Sequence, residues 1–264
     1  MNKFLYFLLA SIVLSSCSSY QKALKSDDVA VKYAEAEKKY DAKKYNKAIR
    51  LFEQMAPAFR GKPQSEKMFY MFAQSYYKTE QYYLAGYQFE SFTASYPKSE
   101  KVEEAAYLEG KSYSMLSPPY SLDQIDTVKA IDKLQTFIDA YPNSSYLPEA
   151  NATLKSLTDK LEKKYYEIAK QYNTISDHKA ALVAFDLFLS DYPGTIYKES
   201  ALFYKLDSAY KLAINSIPAK MEERLRNAKM AYNNLTKFKE SSTYKEKADT
   251  MLAKIDKDLQ QYSK

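Results

Sequence analysis

The sequence predicts an all-α fold built as a stack of helix pairs, and three observations lead to this prediction. Glycine occurs only 4 times among 264 residues and proline 9 times, whereas helix-favouring residues and 27 tyrosines dominate. A Phe, Tyr and Pro pattern returns three times along the chain, and a small residue followed by bulky ones returns in five segments. These features favour an α-solenoid of about five helix pairs that ends in a capping helix.

The dipeptide Tyr-Pro marks the repeat. It occurs three times, each time with a phenylalanine four residues before the tyrosine, at Phe92 with Tyr96-Pro97, Phe137 with Tyr141-Pro142, and Phe188 with Tyr192-Pro193. The spacings of 45 and 51 residues are typical of repeats made of two helices each.

A second pattern places one alanine at the same position of five helices. Bulky apolar residues follow each alanine after four and after seven positions, so that every segment buries a stripe that begins small and ends large. The alanines predicted to pack in the repeats are Ala48, Ala85, Ala130, Ala181 and Ala228. A second helix is expected to follow each Tyr-Pro turn, with Ser99, Ser144, Thr195 and Ser242 as N-caps.

These signals together predict eleven helices. Their expected ranges are 28–42, 45–59, 64–78, 81–95, 99–116, 124–140, 146–173, 178–191, 195–215, 218–239 and 243–261. The repeat resembles the tetratricopeptide repeat, and this resemblance implies a right-handed solenoid. The last helix has the polar outer face expected of a cap.

The first residues carry a different signal. Lys3 precedes an apolar run from Phe4 to Leu14, which would span about 16 Å as a helix and is too short for a bilayer. The sequence therefore predicts a signal peptide over residues 1–16. Leu14, Ser15, Ser16 and Cys17 resemble a bacterial lipobox, which implies that Cys17 is acylated and becomes the new N-terminus.

Acylation of Cys17 predicts a protein that is anchored by lipid through a short tether. Acyl chains, such as those of palmitate, hold a protein durably when two or three are present. Residues 17–27 are polar and are interpreted as a tether. Ser18 is not the Asp of the inner-membrane retention rule, so we expect an outer-membrane protein that faces the periplasm.

The composition argues against catalysis and nucleic-acid binding. The net charge is +6, but basic and acidic residues alternate along the chain and only four of the basic residues are arginines. The one histidine, His178, and the one cysteine offer no set of metal ligands, and four scattered glycines cannot form a phosphate-binding loop. We therefore expect no enzyme activity, no cofactor, no metal and no nucleic-acid partner.

Two groups of residues are candidates for contact with other proteins. The second repeat is crowded with tyrosines, which suit an extended peptide but could equally fill the space between helices. These substrate-groove candidates are Tyr70, Tyr76, Tyr77, Tyr82, Tyr83 and Tyr87. The loop from Ser117 to Asp126, with Pro118, Pro119, Tyr120 and Asp123, is either a spacer or a contact surface.

The whole chain resembles the BamD family of outer-membrane assembly lipoproteins. The resemblance rests on the lipobox, the repeat number and the segments LSPPYSLDQIDTVKAI, FIDAYPNSSYLPEA and AALVAFDLFLSDYPGT. It implies a scaffold that binds the Omp85-type barrel protein BamA and delivers unfolded outer-membrane β-barrel proteins. Some members have an arginine for BamA contact where this chain has Ala184.

The resemblance also implies a division of labour between the halves. Residues 28–145 would hold the repeats on the substrate side, and residues 146–264 those on the partner side. The alternative is another periplasmic repeat lipoprotein that acts as a cell-wall or division adaptor, because a repeat fold by itself does not determine function.

Overall fold

The computed structural model describes residues 19–59, 62 and 65–262, and these residues contain twelve α-helices and no strand. The helices are α1 (Ser19–Lys25), α2 (Val29–Asp41), α3 (Tyr45–Phe59), α4 (Glu66–Lys78), α5 (Tyr82–Ser95), α6 (Val102–Ser114), α7 (Ile125–Ala140), α8 (Leu147–Thr174), α9 (His178–Asp191), α10 (Lys198–Ile214), α11 (Pro218–Phe238) and α12 (Lys245–Leu259). A 3₁₀ turn, Gln260–Tyr262, follows α12. The prediction of an all-α fold is confirmed.

The helices form two compact units. The first consists of the described residues of Met1–Pro118 together with Asp123–Leu157, and the second of those of Pro119–Leu122 and Thr158–Lys264. In the first unit each helix from α2 to α7 packs against the next one along the chain. In the second unit α9 to α12 pack in the same consecutive manner. The chain passes between the units at both ends of the segment Pro119–Leu122 and again within α8.

The stripes that begin with an alanine and continue with bulky apolar residues form the core of both units. The five repeat alanines have no exposed surface, and neither do four of the bulky residues that follow them at the fourth position. These four are Phe52, Phe89, Leu134 and Phe185. A methyl group on one helix lets the next helix approach closely, and the larger side chains then fill the space beside it.

The three Tyr-Pro turns have the same backbone conformation. The φ and ψ angles are −130° and 58° at Tyr96, −127° and 64° at Tyr141, and −123° and 66° at Tyr192. A residue before proline avoids the helical region, so the helix must end there. Each tyrosine ring packs on the phenylalanine one turn earlier, with ring centroids 5.3–5.5 Å apart.

Three of the turns between consecutive helices use a left-handed residue that is not glycine. Lys43, Glu80 and Ser176 have φ angles of 56°, 60° and 65°. The amide of the following residue donates to the carbonyl five positions back, as Gln81 N does to Tyr76 O (3.0 Å). This is the hydrogen bond of a Schellman C-cap, in which glycine is the usual residue at the left-handed position.

A bond between a glutamate and a hydroxyl joins successive repeats. Each hydroxyl after a turn donates to a glutamate on a preceding helix of the same unit, at 2.5–2.8 Å. The four pairs are Ser99 with Glu66, Ser144 with Glu103, Thr195 with Glu162, and Ser242 with Glu199. The same hydroxyls also accept from the amide two residues later.

The hydroxyls correct one detail of the sequence prediction. They were expected at the N-cap position, whereas the helices that follow begin at Val102, Leu147, Lys198 and Lys245, three residues after each hydroxyl. The hydroxyl instead stabilises the turn before the helix. The glutamates at fixed positions, each four residues before Tyr70, Tyr107, Tyr166 or Phe203, were the unrecognised sequence signal.

The N-terminal region differs from the predicted tether. Residues 19–25 form α1, in which Tyr20 and Ala23 are buried, and Ser19 Oγ donates to Glu35 Oε1 (3.0 Å). Two apolar side chains three positions apart are enough to dock a short helix on α2 and α3, and this pattern is too short to stand out in the sequence. Among the described residues, no helix is both long enough and apolar enough to cross a membrane.

Candidate partner-binding surfaces

The residues of the proposed lipobox, Leu14, Ser15, Ser16 and Cys17, lie outside the described residues. Acylation of Cys17 therefore stays a prediction from the sequence.

The six candidate tyrosines do not share one surface. Tyr76 is buried, with 4% of its surface exposed, and its hydroxyl donates to Glu53 Oε1 (2.9 Å). Tyr70 is half-buried against Phe89 and Phe92, and burial raises its pKa, as does its hydrogen bond with Glu104. These rings fill space between helices and are not free to receive a peptide.

Tyr77 and Tyr82 are also packed within the first unit. Their rings meet edge to face at 5.8 Å, and Tyr77 also contacts Phe89 at 6.4 Å. Burial raises the pKa of Tyr77. The pair connects the end of α4 to the start of α5, which is a structural role.

Tyr83 and Tyr87 are the two candidates that face solvent. They are 65% and 53% exposed and lie one turn apart on α5, beside Leu84 at 39%. An exposed aromatic pair with an adjacent leucine is a surface that can contact a partner. Leu84 was missed in the sequence because its position on the solvent face is set by how α5 packs.

The loop between α6 and α7 is fastened to α8. Lys164 Nζ donates to the carbonyl oxygens of Leu122 (2.8 Å) and Tyr120 (3.3 Å), and Lys163 Nζ lies 4.4 Å from the Tyr120 ring centroid. At its other end, Asp123 accepts from the amide of Ile125 (2.9 Å). Pro118 is half-buried and Pro119 is exposed. The loop is thus held in a defined conformation.

Tyr120 and Ser121 form one side of a groove in the second unit. The groove has a volume of about 570 Å³. The C-terminal half of α8 and the residue after it form its other side, with Lys164, Glu167, Ile168, Lys170, Gln171, Thr174 and Ile175. Ile168 and Ile175 are 38% and 63% exposed. Apolar side chains between charged ones suit a polypeptide that offers both kinds of contact.

A second groove lies in the first unit and has charged groups in its wall. It measures about 400 Å³ between α5, α6 and α7. Lys133 Nζ contacts Glu90 Oε1 (2.8 Å) and Glu109 Oε1 (2.9 Å). Burial raises the pKa of Glu109, and the two carboxylates raise that of Lys133 against the opposing effect of burial.

The histidine belongs to a buried polar cluster in the second unit. Asn173 Nδ2 donates to Asp207 Oδ2 (2.7 Å) and to Ser208 Oγ (2.9 Å), and Lys211 pairs with Asp207 (2.8 Å). His178 is buried as the first residue of α9, and burial lowers its pKa. Its surroundings give it a packing role rather than access to a substrate.

The described residues contain no group of three or more His, Cys, Asp or Glu side chains that could hold a metal ion. In the charged clusters described above, lysines form ion pairs with the carboxylates and neutralise them. Their arrangement suits structural support and polar contacts.

Known proteins similar to this chain agree on one family. A family model described as YfiO, outer membrane lipoprotein, matches residues 25–225. The outer membrane protein assembly factor BamD of Neisseria gonorrhoeae is 26% identical over 227 residues, which cover 80% of this chain and 85% of that protein. The same factor of Pasteurella multocida is 24% identical over 230 residues, which cover 83% and 88%.

A solved structure of the yeast Sti1 TPR2AB domain in its pHSP90 complex is more distant. It is 16% identical, covers 86% of this chain and 98% of its own, and has a TM-score of 0.39.

Proposed function

The chain belongs to the YfiO family of outer membrane lipoproteins, and from this membership we propose that it is a scaffold of the β-barrel assembly machinery. In this role it binds a BamA-like Omp85 protein and unfolded outer-membrane β-barrel proteins. Acylated Cys17 anchors it to the outer membrane, with the folded body in the periplasm.

The observation that carries this proposal is the extent of the family match. Residues 25–225 run through the first unit and most of the second, and the assembly factors of two other bacteria align over 80% and 83% of the chain. A match of this extent covers the repeats themselves and not one isolated helix pair, which many unrelated proteins share.

The two units are suited to separate partners. The exposed pair Tyr83 and Tyr87 in the first unit supports contact with an extended, aromatic-rich substrate segment. In the second unit the groove between Tyr120 and α8 supports contact with the BamA-like protein. Neither contact involves bond chemistry, in keeping with relatives that are named assembly factors.

Affinity purification from membranes tests the proposal directly. The tagged chain should recover an Omp85-type barrel protein after mild detergent extraction. Recovery of peptidoglycan enzymes or division proteins instead would favour the adaptor alternative and contradict the proposal. Mass spectrometry of the mature N-terminus tests acylation of Cys17, and a salt wash should release the Cys17→Ala variant, but not the unaltered chain, from the membrane fraction.

Substrate contact is tested with a pair of tyrosine variants. Tyr83→Ala with Tyr87→Ala should weaken crosslinking to an unfolded β-barrel protein while helical content is unchanged. Tyr165 and Tyr172 of α8 are 47% and 37% exposed, and their double alanine variant is the matched control. Equal crosslinking in both variants would rule out the α5 pair as the substrate contact.

A further inference from the structure

Very few residues separate Cys17 from the first described helix. Helix α1 begins at Ser19, so only two peptide units separate it from Cys17. Two extended residues span about 7 Å at most. An acyl group on Cys17 would therefore hold α1, and the helices on which it docks, close to the lipid headgroups.

Helix α1 is fastened by contacts that also involve lysines. Tyr20 is 5% exposed, and its ring centroid lies 5.3 Å from Lys47 Nζ and 5.8 Å from Lys39 Nζ. Lys22 and Lys25 on α1 itself are exposed. The surface around the start of the folded body is thus rich in ammonium groups.

A cluster of four lysines continues this surface, and we call it the lysine surface. Lys43, Lys44, Lys47 and Lys78 line a shallow pocket of about 480 Å³ together with Tyr45, Asn46 and Thr79. No acidic side chain lines this pocket, and none of the four lysines has an ion pair with another described residue. The ammonium groups are therefore available to an outside anion.

Local sequence and folding together create this concentration of charge. Residues 38–50 contain six basic side chains and one acidic one, Asp41, whereas the whole chain has 39 basic and 33 acidic residues. Lys78 joins them from the end of α4, just before the left-handed Glu80. Asp41 and Glu80 are the acidic residues nearest in sequence, and both are outside the pocket lining.

We propose that the lysine surface binds the anionic phospholipid headgroups of the membrane leaflet that carries the acylated Cys17. The inference rests on the lipid anchor of the proposed function for its geometry. The anchor brings the surface to within reach of the headgroups, and the lysines then orient the first unit against the bilayer.

A lipid anchor and nearby basic residues strengthen membrane binding together. Lysines near an anionic bilayer each strengthen binding on the order of fivefold, and the attraction fades over a screening length of about 8 Å at physiological salt. A long flexible leash would let the body drift beyond that distance. The short connection between Cys17 and α1, with Lys47 Nζ 5.3 Å from the Tyr20 ring centroid, limits that drift.

Vesicle binding without the acyl group isolates the contribution of the lysines. The probe is a set of phosphatidylcholine vesicles prepared with or without phosphatidylglycerol. The mature chain from residue 17 onward, carrying Cys17→Ser, should sediment with the anionic vesicles only, and added salt should release it. Lys43→Gln, Lys44→Gln and Lys47→Gln together should weaken this binding on the order of 100-fold.

A matched control removes the same charge elsewhere. Lys247, Lys254 and Lys257 are exposed on α12, and their triple glutamine variant should bind anionic vesicles like the unaltered chain. An equal loss in both triple variants would show a general charge effect and overturn the proposal. Circular dichroism spectra of both variants exclude loss of folding as the cause.

Other outcomes separate this inference from the proposed function. Binding that needs the three lysines supports the inference even where no Omp85-type protein is recovered from membranes. Full vesicle binding by the Lys43, Lys44 and Lys47 variant would overturn it. The variant could also keep full vesicle binding but lose an envelope protein that the unaltered chain co-purifies. The lysine surface would then bind an acidic protein partner, and the membrane assignment would be wrong.

Discussion

Replacing Gly110 with alanine should destabilise the protein even though alanine is the better helix former. Gly110 lies near the end of α6 and is buried against α7. A Cβ atom at this position would lie 2.9 Å from Leu134 Cδ2, 3.0 Å from Leu134 Cγ and 3.1 Å from Leu134 N. Leu134 has no exposed surface, so its side chain cannot move outward to make room.

The expected magnitude follows from two opposing effects. Alanine in a helix interior gains about 1 kcal/mol over glycine. Overpacking a core costs about 1–3 kcal/mol. Because one of the close contacts is a backbone nitrogen, α6 and α7 must separate, so the overpacking cost should lie in the upper part of that range, at about 2–3 kcal/mol. The free energy of unfolding should then fall by about 1–2 kcal/mol once the gain from alanine is subtracted.

Urea unfolding followed by circular dichroism at a helix wavelength measures this change. Gly194→Ala is the control, because a Cβ at Gly194 would meet no atom within 4 Å. We expect the control to be neutral or stabilised by about 0.4–1 kcal/mol. A Gly110→Ala variant as stable as the unaltered chain would refute the close approach of α6 and α7.

A second variant identifies the contact responsible. Leu134→Ala removes the Cγ and Cδ atoms and by itself should cost about 2–5 kcal/mol. In that background Gly110→Ala should cost less, because the two closest contacts, with Leu134 Cδ2 and Cγ, are gone while the contact with the Leu134 amide remains. An unchanged cost of Gly110→Ala would mean that the strain does not come from the Leu134 side chain.

Three further predictions concern the turns and the bonds between repeats. The hydrogen bond from Lys239 lowers the pKa of Glu199 to about 2 from an ordinary 4.5, so this stabilisation is present above pH 4.5 and is lost as the pH falls towards 2. The unfolding midpoint of the unaltered chain should therefore drop more over this range than that of Glu199→Gln, and parallel curves would contradict the reasoning. Ser144→Ala removes the hydroxyl between repeats and should lower the free energy of unfolding by about 1–2 kcal/mol, whereas Ala at the exposed neighbour Ser145 should have no effect. Glu80→Gly removes the backbone strain of a left-handed residue that is not glycine and should raise the free energy of unfolding by about 0.5–1 kcal/mol. Glu80→Ala should give no such gain, and an equal gain would contradict the reasoning.

The helices were predictable because their signals are local. Each helix range expected from residue 28 onward has a counterpart in the structure. The pattern of an alanine followed by bulky residues, as at Ala85 or Ala130, identifies buried positions without any knowledge of neighbouring helices. Helix α1 was missed because two buried residues in seven form no periodic pattern. The helix starts after the Tyr-Pro turns were placed too early because a hydroxyl that stabilises a turn looks like an N-cap in sequence.

The candidate surfaces were harder to predict because exposure is not a local property. Tyr76 and Tyr83 look alike in the sequence, yet Tyr76 is buried and donates to Glu53, whereas Tyr83 faces solvent. The lysine surface includes Lys78, which is more than thirty residues from Lys47 and comes next to it only when α4 packs beside α3.

Sequence alone determined the helical class, the repeat period and the proposed lipid site at Cys17, because hydrophobic periodicity, turn chemistry and a short N-terminal motif are written in neighbouring residues. Tertiary structure decided which tyrosines are exposed, which glutamate meets which hydroxyl, and where lysines accumulate. These depend on how one helix lies against the next, a relation between residues far apart in the chain that no local pattern encodes.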